Sequence, residues 1–263
     1  MMSVEMPVNR LKRALRDGQT QIGLWSSLSS HIAAEIVAGA GFDWILIDTE
    51  HSPNELADVH RQLQAMQGST SAVVRPAWND PVAFKRLLDL GVQSLLVPYV
   101  QNAEEARRAV AATRYPPDGI RGVATTTRAS RYGRVKDYLG RAHDEICVIL
   151  QIETRAALAG LEAIAAVEGV DALFIGPSDL AADMGHLGNS AHPDVRAAID
   201  EAIGRIRATG RAAGILTPVE ADARRWLDLG CNLLAVGSDA GILARQADAL
   251  ASTFKCTPAG ART

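Results

Sequence analysis

Lysine is scarce in this 263-residue chain: only Lys12, Lys85, Lys136 and Lys255 are present. Carbonyl chemistry through a Schiff base needs an amine at the reacting carbon, so that mechanism has few places to reside. The three cysteines, Cys147, Cys231 and Cys256, are odd in number and widely spaced. With no CxxC pair, they suggest neither a disulfide framework nor a thiolate zinc site. No apolar run approaches the roughly 18 residues needed to cross a bilayer, which argues against a membrane partner. A formal charge of −3 gives no basic footprint for nucleic acid. No Gly-x-Gly-x-x-Gly follows an expected strand, and there is no Walker loop. The stretch 1–17 is amphipathic, with Leu11, Ala14 and Leu15 on one helical face, and lacks the apolar centre of a signal peptide. The expected location is therefore the cytoplasm.

What is present is an alternation of two periods. Apolar residues make up 48% of the chain and charged residues 22%, the balance of a soluble enzyme. Short runs rich in Val, Ile and Leu alternate with longer stretches of helical spacing. The pattern predicts strands over 21–28, 44–48, 72–75, 94–99, 147–153, 172–175, 212–216 and 233–237. The helices expected after them span 31–40, 55–66, 81–90, 103–113, 155–167, 193–209, 219–229 and 241–254. An insertion, 115–145, precedes the fifth strand. Gly91, Gly169, Gly210 and Gly230 stand where helices should close. Eight strand–helix units in strict order predict a (β/α)8 TIM barrel rather than an open sheet. No linker divides the chain. The expectation is one domain over 1–263, with an N-terminal helix within 1–20 and a loose tail at 256–263.

A barrel places its site on the loops that follow the strands. The expected strand ends carry Trp25, Asp48-Thr49-Glu50-His51, Arg75, Gln151 with Glu153, Gly176-Pro177-Ser178-Asp179, and Leu216. Side chains two apart share a face of a strand, so Asp48 and Glu50 should point together, as should Gln151 and Glu153. Glu153 and Asp179 end neighbouring strands. They are either ordinary strand-end acids or hard oxygen ligands for a divalent cation such as Mg²⁺ or Mn²⁺. His51 is a candidate general base if Asp48 fixes its tautomer. Arg75 either closes the barrel mouth in a salt bridge or stabilises a developing oxyanion. None of the four lysines falls at an expected strand end. The segment Gly237-Ser238-Asp239-Ala240-Gly241 could offer backbone donors to a phosphate, but Asp239 would repel it.

These residues resemble the metal-dependent class II pyruvate aldolases of the 4-hydroxy-2-oxoheptanedioate and 2-dehydro-3-deoxyglucarate aldolase type. The resemblance rests on Gly23-Leu24-Trp25, Asp48-Thr49-Glu50-His51-Ser52-Pro53-Asn54 and Val74-Arg75-Pro76. It continues through Tyr115-Pro116-Pro117-Asp118-Gly119-Ile120-Arg121-Gly122, Gln151-Ile152-Glu153-Thr154 and Gly176-Pro177-Ser178-Asp179-Leu180. It implies reversible aldol cleavage of a 4-hydroxy-2-keto acid, through a metal-bound enolate. The products would be pyruvate, or a related 2-keto acid such as hydroxypyruvate, and an aldehyde. It implies Mg²⁺, Mn²⁺ or Co²⁺ on Glu153 and Asp179. His51, oriented by Asp48, and Arg75 would carry the chemistry. Gln151 would lie near the pyruvate oxygens, and the backbone of Gly176, Pro177 and Ser178 would receive the carboxylate. Trp25 and Leu216 are further expected substrate contacts. The resemblance also implies a C-terminal helix exchanged between subunits and a homohexamer built as a trimer of dimers.

Two departures from the family pattern stand out. Thr49 occupies a position where many relatives have Gly, and the stretch 123–129 lacks the Gly-Ser that relatives often carry. Both leave the aldehyde partner open. Alternatives on the same barrel are oxaloacetate decarboxylation and cleavage of a malyl- or citramalyl-thioester. A non-catalytic binding barrel is more distant, since it predicts broken acid, base or metal positions.

Overall fold

The computed structural model describes residues 4–68 and 70–255, so the expected tail at 256–263 lies outside the described residues. Helix α1 (Arg10–Arg16) leads into β1 (Gln21–Ser26), α2 (His31–Ala38), β2 (Trp44–Asp48), α3 (Leu56–Ala65) and β3 (Ser71–Arg75). Then come α4 (Pro81–Asp89), β4 (Ser94–Val97), α5 (Ala103–Thr113), the short α6 (Tyr138–Arg141) and β5 (Cys147–Ile152). The chain continues through α7 (Arg155–Ala159), α8 (Leu161–Ala165), β6 (Ala172–Ile175), α9 (Pro177–Asp183) and α10 (Pro193–Ala208). It ends with β7 (Ala212–Leu216), α11 (Glu220–Asp228), β8 (Leu233–Ser238) and α12 (Asp239–Lys255). The strands close into a parallel barrel in sequence order, β8 pairing back onto β1, as the periodicity predicts.

Where elements differ from expectation, the backbone hydrogen bonds give the reason. β1 stops at Ser26 because the next amides leave the sheet: Ser27 and Leu28 donate to the Asp239 carboxylate at 2.9 and 3.3 Å. β4 stops at Val97 because Pro98 has no N–H and Tyr99 turns into the left-handed region at φ +56°. The helix expected over 155–167 is two short helices broken at Gly160. Helix α9 was not expected; Pro177 at its first position fits a helix start that carries no N–H. Gly91 and Gly230 take φ of +89° and +94° just past α4 and α11, closing those helices as their positions suggest.

Two apolar layers form. Ile45, Ile47, Val74, Leu95, Val97, Val148, Leu150, Leu173 and Ile175 face the surrounding helices. The alternate residues Trp25, Trp44, Leu46, Val73, Leu96, Ile149, Phe174 and Leu233 fill the barrel interior. Leu11 and Leu15 of α1 join that interior cluster, 0% and 5% exposed. Gly23 is required by this packing: a Cβ there would stand 2.2 Å from the Trp44 indole. Because inward positions alternate, continuing Trp44 and Leu46 by two residues delivers Asp48 to the interior mouth. Val73 delivers Arg75 in the same way, and Ile149 delivers Gln151 and then Glu153.

Candidate active site

Asp48 and Arg75 are direct partners in the β2–β3 register, and their side chains meet in a fork. Arg75 Nε donates to Asp48 Oδ1 at 2.9 Å and Nη2 to Oδ2 at 2.7 Å. Arg75 Nη1 lies 2.9 Å from Glu50 Oε2, and the guanidinium carbon sits 5.5 Å from the Trp25 ring centroid. The fork uses two of the five N–H bonds of the guanidinium, and Glu50 adds an ion pair at Nη1. Burial alone would favour deprotonation, but the fork with Asp48 and the charges of Glu50 and Glu153 hold the Arg75 pKa above its ordinary value.

The expected pairing of Asp48 with His51 is therefore corrected. Both Asp48 oxygens face Arg75, and Oδ1 also accepts the Glu50 N–H at 3.0 Å. The acid beside His51 is Glu50, whose Oε2 lies 3.8 Å from His51 Nε2. The strand ends at Asp48, so the two-residue rule no longer aims Glu50 or His51. The turn does that instead: Asn54 Nδ2 donates to the Asp48 carbonyl at 2.7 Å, and the Ser52 hydroxyl donates to the same oxygen. The His51 side chain is 68% exposed, at the mouth rather than in its floor. Burial raises the Glu50 pKa, with Asp48 and Asp179 adding to the rise and Arg75 and His51 opposing it.

Glu153 stands one residue past β5 and is 3% exposed. Tyr99 N–H donates to its Oε1 at 2.7 Å, and Gln151 Nε2 to its Oε2 at 2.5 Å. Burial pushes the carboxyl up to about 7; the charges of Asp179 and Glu50 push the same way, while the Tyr99 amide and Gln151 oppose. Asp179 occupies the first turn of α9. Gly176 is needed where it stands, since a Cβ there would lie 2.6 Å from Glu153 Oε2 and 2.8 Å from Gln151 Nε2. Its N–H bonds Ile152 O at 3.0 Å within the barrel, and Pro177 has none. Of Gly176, Pro177 and Ser178, only Ser178 thus keeps an amide free at the start of α9. Leu216 ends β7 half-buried against the interior cluster that contains Trp25.

Four carboxylates, Asp48, Glu50, Glu153 and Asp179, share this mouth with one guanidinium, and their charges act on one another. Gln151 Oε1 is buried without a hydrogen-bond partner. An excess of acidic oxygens beside an orphaned carbonyl oxygen fits a hard divalent cation. Glu153 and Asp179 are the two of these acids that no cationic side chain engages in a salt bridge among the described residues.

Three features of the mouth had no clear sequence signal. Tyr99, a non-glycine residue in left-handed backbone, aims its amide at Glu153 and stacks its ring on Trp78 with centroids 5.4 Å apart. Both rings are exposed, Trp78 by 54% and Tyr99 by 38%. A buried polar chain runs behind Asp48: Asn54 Oδ1 accepts from Gln62 Nε2 at 2.6 Å, and Gln62 Oε1 accepts from Ser26 Oγ at 2.9 Å. Ser26 also reaches Asp239 at 3.3 Å. Asp239 therefore tethers α12 to the β1 loop, an alternative to repelling a phosphate that its position in sequence could not reveal.

Residues 21–246 match the family described as HpcH/HpaI aldolase/citrate lyase. The chain is 60% identical over 252 residues to the pyruvate aldolase of Rhizobium etli, covering 95% of this chain and 99% of that one. It is 58% identical over 248 residues to the 4-hydroxy-2-oxo-heptane-1,7-dioate aldolase of Escherichia coli, covering 94% and 95%. A crystal structure of an HpcH/HpaI aldolase/citrate lyase family protein from Burkholderia cenocepacia superposes with a TM-score of 0.91 at 40% identity, covering 94% of this chain and all of that one.

Proposed function

The chain belongs to the HpcH/HpaI aldolase/citrate lyase family, and on that premise we propose that it is a metal-dependent aldolase that cleaves 4-hydroxy-2-keto acids to pyruvate, or a related 2-keto acid, and an aldehyde. It is a carbon–carbon lyase. The observation that carries the reading is the lysine-free mouth, which four carboxylates share with a single clamped arginine. That set suits an enolate stabilised by charge, not an amine adduct.

Glu153 and Asp179 would hold the cation, Mg²⁺, Mn²⁺ or Co²⁺. When bound, such an ion supplies Lewis-acid polarisation of the keto acid. The protein side chains divide the remaining work. The free Ser178 amide at the start of α9 receives the keto acid's carboxylate, where the helix end favours negative charge. The Gln151 amide borders the same oxygens. Arg75, immobilised by Asp48, directs its remaining N–H bonds to the keto oxygen as charge develops there. In the cleavage direction His51 removes the proton of the 4-hydroxyl as the C3–C4 bond breaks. The electron pair goes to the three-carbon fragment, the aldehyde departs, and a proton returned to that fragment gives pyruvate. Glu50, beside both His51 and Arg75, couples the base to the cation. Trp25 forms the apolar floor, with Leu216 alongside, and Trp78 with Tyr99 forms an aromatic wall facing the aldehyde end.

The exposed side chains of α12 support assembly into a homo-oligomer. Ile242, Leu243, Leu250 and Phe254 are between 41% and 80% exposed, and Asp239 is the helix's buried residue. A partner's barrel would cover that surface, in keeping with an exchanged helix and a hexamer. Among the described residues no helix is long and apolar enough to cross a membrane.

The test is pyruvate release, coupled to lactate dehydrogenase, across a panel of 4-hydroxy-2-keto acids with and without divalent metal. Metal-dependent release from at least one member is expected; carbon dioxide from oxaloacetate with no retro-aldol release would replace the reading with decarboxylation. Borohydride with pyruvate should leave the protein unmodified, and a trapped lysine adduct would overturn the mechanism.

A further inference from the structure

One cluster away from the barrel mouth has the donors of a metal site that the aldolase chemistry does not use. His186, His192 and Asp194 offer ligand atoms that all lie within 4.8 Å of one another, the one such group of three found among the described residues. The two imidazoles stack with centroids 3.6 Å apart and planes at 14°. Asp194 Oδ2 lies 3.8 Å from His186 Nε2 and 3.8 Å from His192 Nδ1.

The local backbone builds this arrangement from a short loop, 184–192, between α9 and α10. His186 N–H returns to Ala181 O at 2.7 Å, Asn189 N–H to His186 O at 2.9 Å, and His192 N–H to Asn189 O at 3.1 Å. These successive turns bring the two histidines face to face although they are six positions apart. His192 caps α10, its Nδ1 accepting the Asp194 N–H at 3.3 Å. The cap engages the same lone pair that a metal would take, so an ion at Nδ1 replaces this long 3.3 Å bond.

The donor chemistry differs from that of the barrel mouth. Glu153 and Asp179 offer oxygen only, whereas this cluster offers two imidazole nitrogens and one carboxylate. Such a set prefers Zn²⁺ and its transition-metal neighbours over Mg²⁺. Zinc bonds of about 2.0–2.1 Å set neighbouring ligand atoms about 3.4 Å apart in a tetrahedron. Rotation of the Asp194 side chain, 70% exposed, closes the 3.8 Å gaps, and the two part-exposed imidazoles turn out of their stack so that their in-plane lone pairs meet at the ion.

We propose that His186, His192 and Asp194 form a second metal site, selective for Zn²⁺-class ions, with its fourth position open to water. The ion pins the loop that joins α10 to α9, the helix whose first turn carries Asp179. The site is independent of the aldolase reading, and its loss leaves the carboxylates at the mouth intact.

The experiment strips the full-length protein with EDTA, loads it with Zn²⁺, desalts it and counts retained metal per chain. His186→Phe keeps a ring in the stack but removes a ligand; Asp194→Asn weakens the anionic donor without changing its shape. Circular dichroism establishes that each variant is folded, and either folded variant suffices. The wild type is expected to retain one more equivalent of Zn²⁺ than His186→Phe. Loaded with Co²⁺, it is expected to show visible bands of a four-coordinate, nitrogen-ligated ion that the variant lacks. Equal zinc retention by wild type and a folded variant, or Co²⁺ spectra that coincide, overturns the site.

Discussion

Arg75 is held by Asp48 through two parallel hydrogen bonds of 2.9 and 2.7 Å, both partners being buried. This fork fixes the plane of the guanidinium and leaves the cation's remaining donors with one direction to point. A point charge on a flexible stem could not be oriented in this way.

Arg75→Lys keeps the charge and loses the fork. Turnover is expected to fall by about 10² to 10³, the usual cost of removing an oxyanion donor. Asp48→Asn leaves a buried guanidinium without its main counter-charge, and should destabilise the fold by about 3–5 kcal/mol. Steady-state kinetics and urea unfolding measure the two effects separately. Wild-type turnover in Arg75→Lys would mean the planar fork has no part in the reaction.

His51→Ala should lower kcat by about 10² to 10⁴, the range for loss of a general base. Since Glu50 lies 3.8 Å from His51 and 2.9 Å from Arg75, Glu50→Gln should also lower kcat, by less than His51→Ala. Wild-type turnover in both variants would place the base elsewhere.

EDTA should abolish pyruvate release, and Mg²⁺, Mn²⁺ or Co²⁺ should restore it. Glu153→Gln and Asp179→Asn should each stay inactive at metal concentrations that saturate the wild type. Full activity in a metal-free preparation would exclude a role for the ion.

Glu153 also makes a prediction about the metal-free protein. Its carboxyl is raised from 4.5 to about 7 by burial, so between those values the folded state binds more protons than the unfolded one. This contribution to stability is complete below the unfolded pKa and is lost as pH rises through 7. A rise of this size corresponds to about 3 kcal/mol. Urea titrations of the metal-free protein between pH 5 and 8 should show that loss, and Glu153→Gln should flatten it. Equal slopes in the two proteins would show that Glu153 titrates normally.

Trp78→Ala removes half of the stacked wall at the mouth. An aromatic contact is worth about 0.5–1.5 kcal/mol, so kcat/KM for aldehydes with apolar substituents should drop up to about tenfold. Exchange of the pyruvate methyl protons, which needs no aldehyde, should stay the same. An equal loss in both reactions would mean that the wall supports the keto-acid half of the site instead.

The alternation of inward and outward residues, two by two, was legible in the chain itself. It places Trp44, Leu46 and Asp48 on one line and Ile149, Gln151 and Glu153 on another, because a strand has a strict period. The scarcity of lysine was equally plain, and with it the expectation that no amine nucleophile acts here. Helix α9 was harder to foresee, since seven residues starting at a proline carry too little periodicity to distinguish a helix from a turn.

What the sequence by itself determined is the eight-fold barrel and which polar residues end its strands. Those follow from local periods and from residue types. What only the tertiary structure decided is who partners whom. Asp48 pairs with Arg75 across 27 positions, not with His51 three residues away, because parallel register sets the two side by side. Tyr99 gives its amide to Glu153 across 54 positions, and Asp239 reaches back to Ser26 and Ser27 across more than 200. Hydrogen bonds at such separations depend on closure of the barrel, which no stretch of the chain encodes alone.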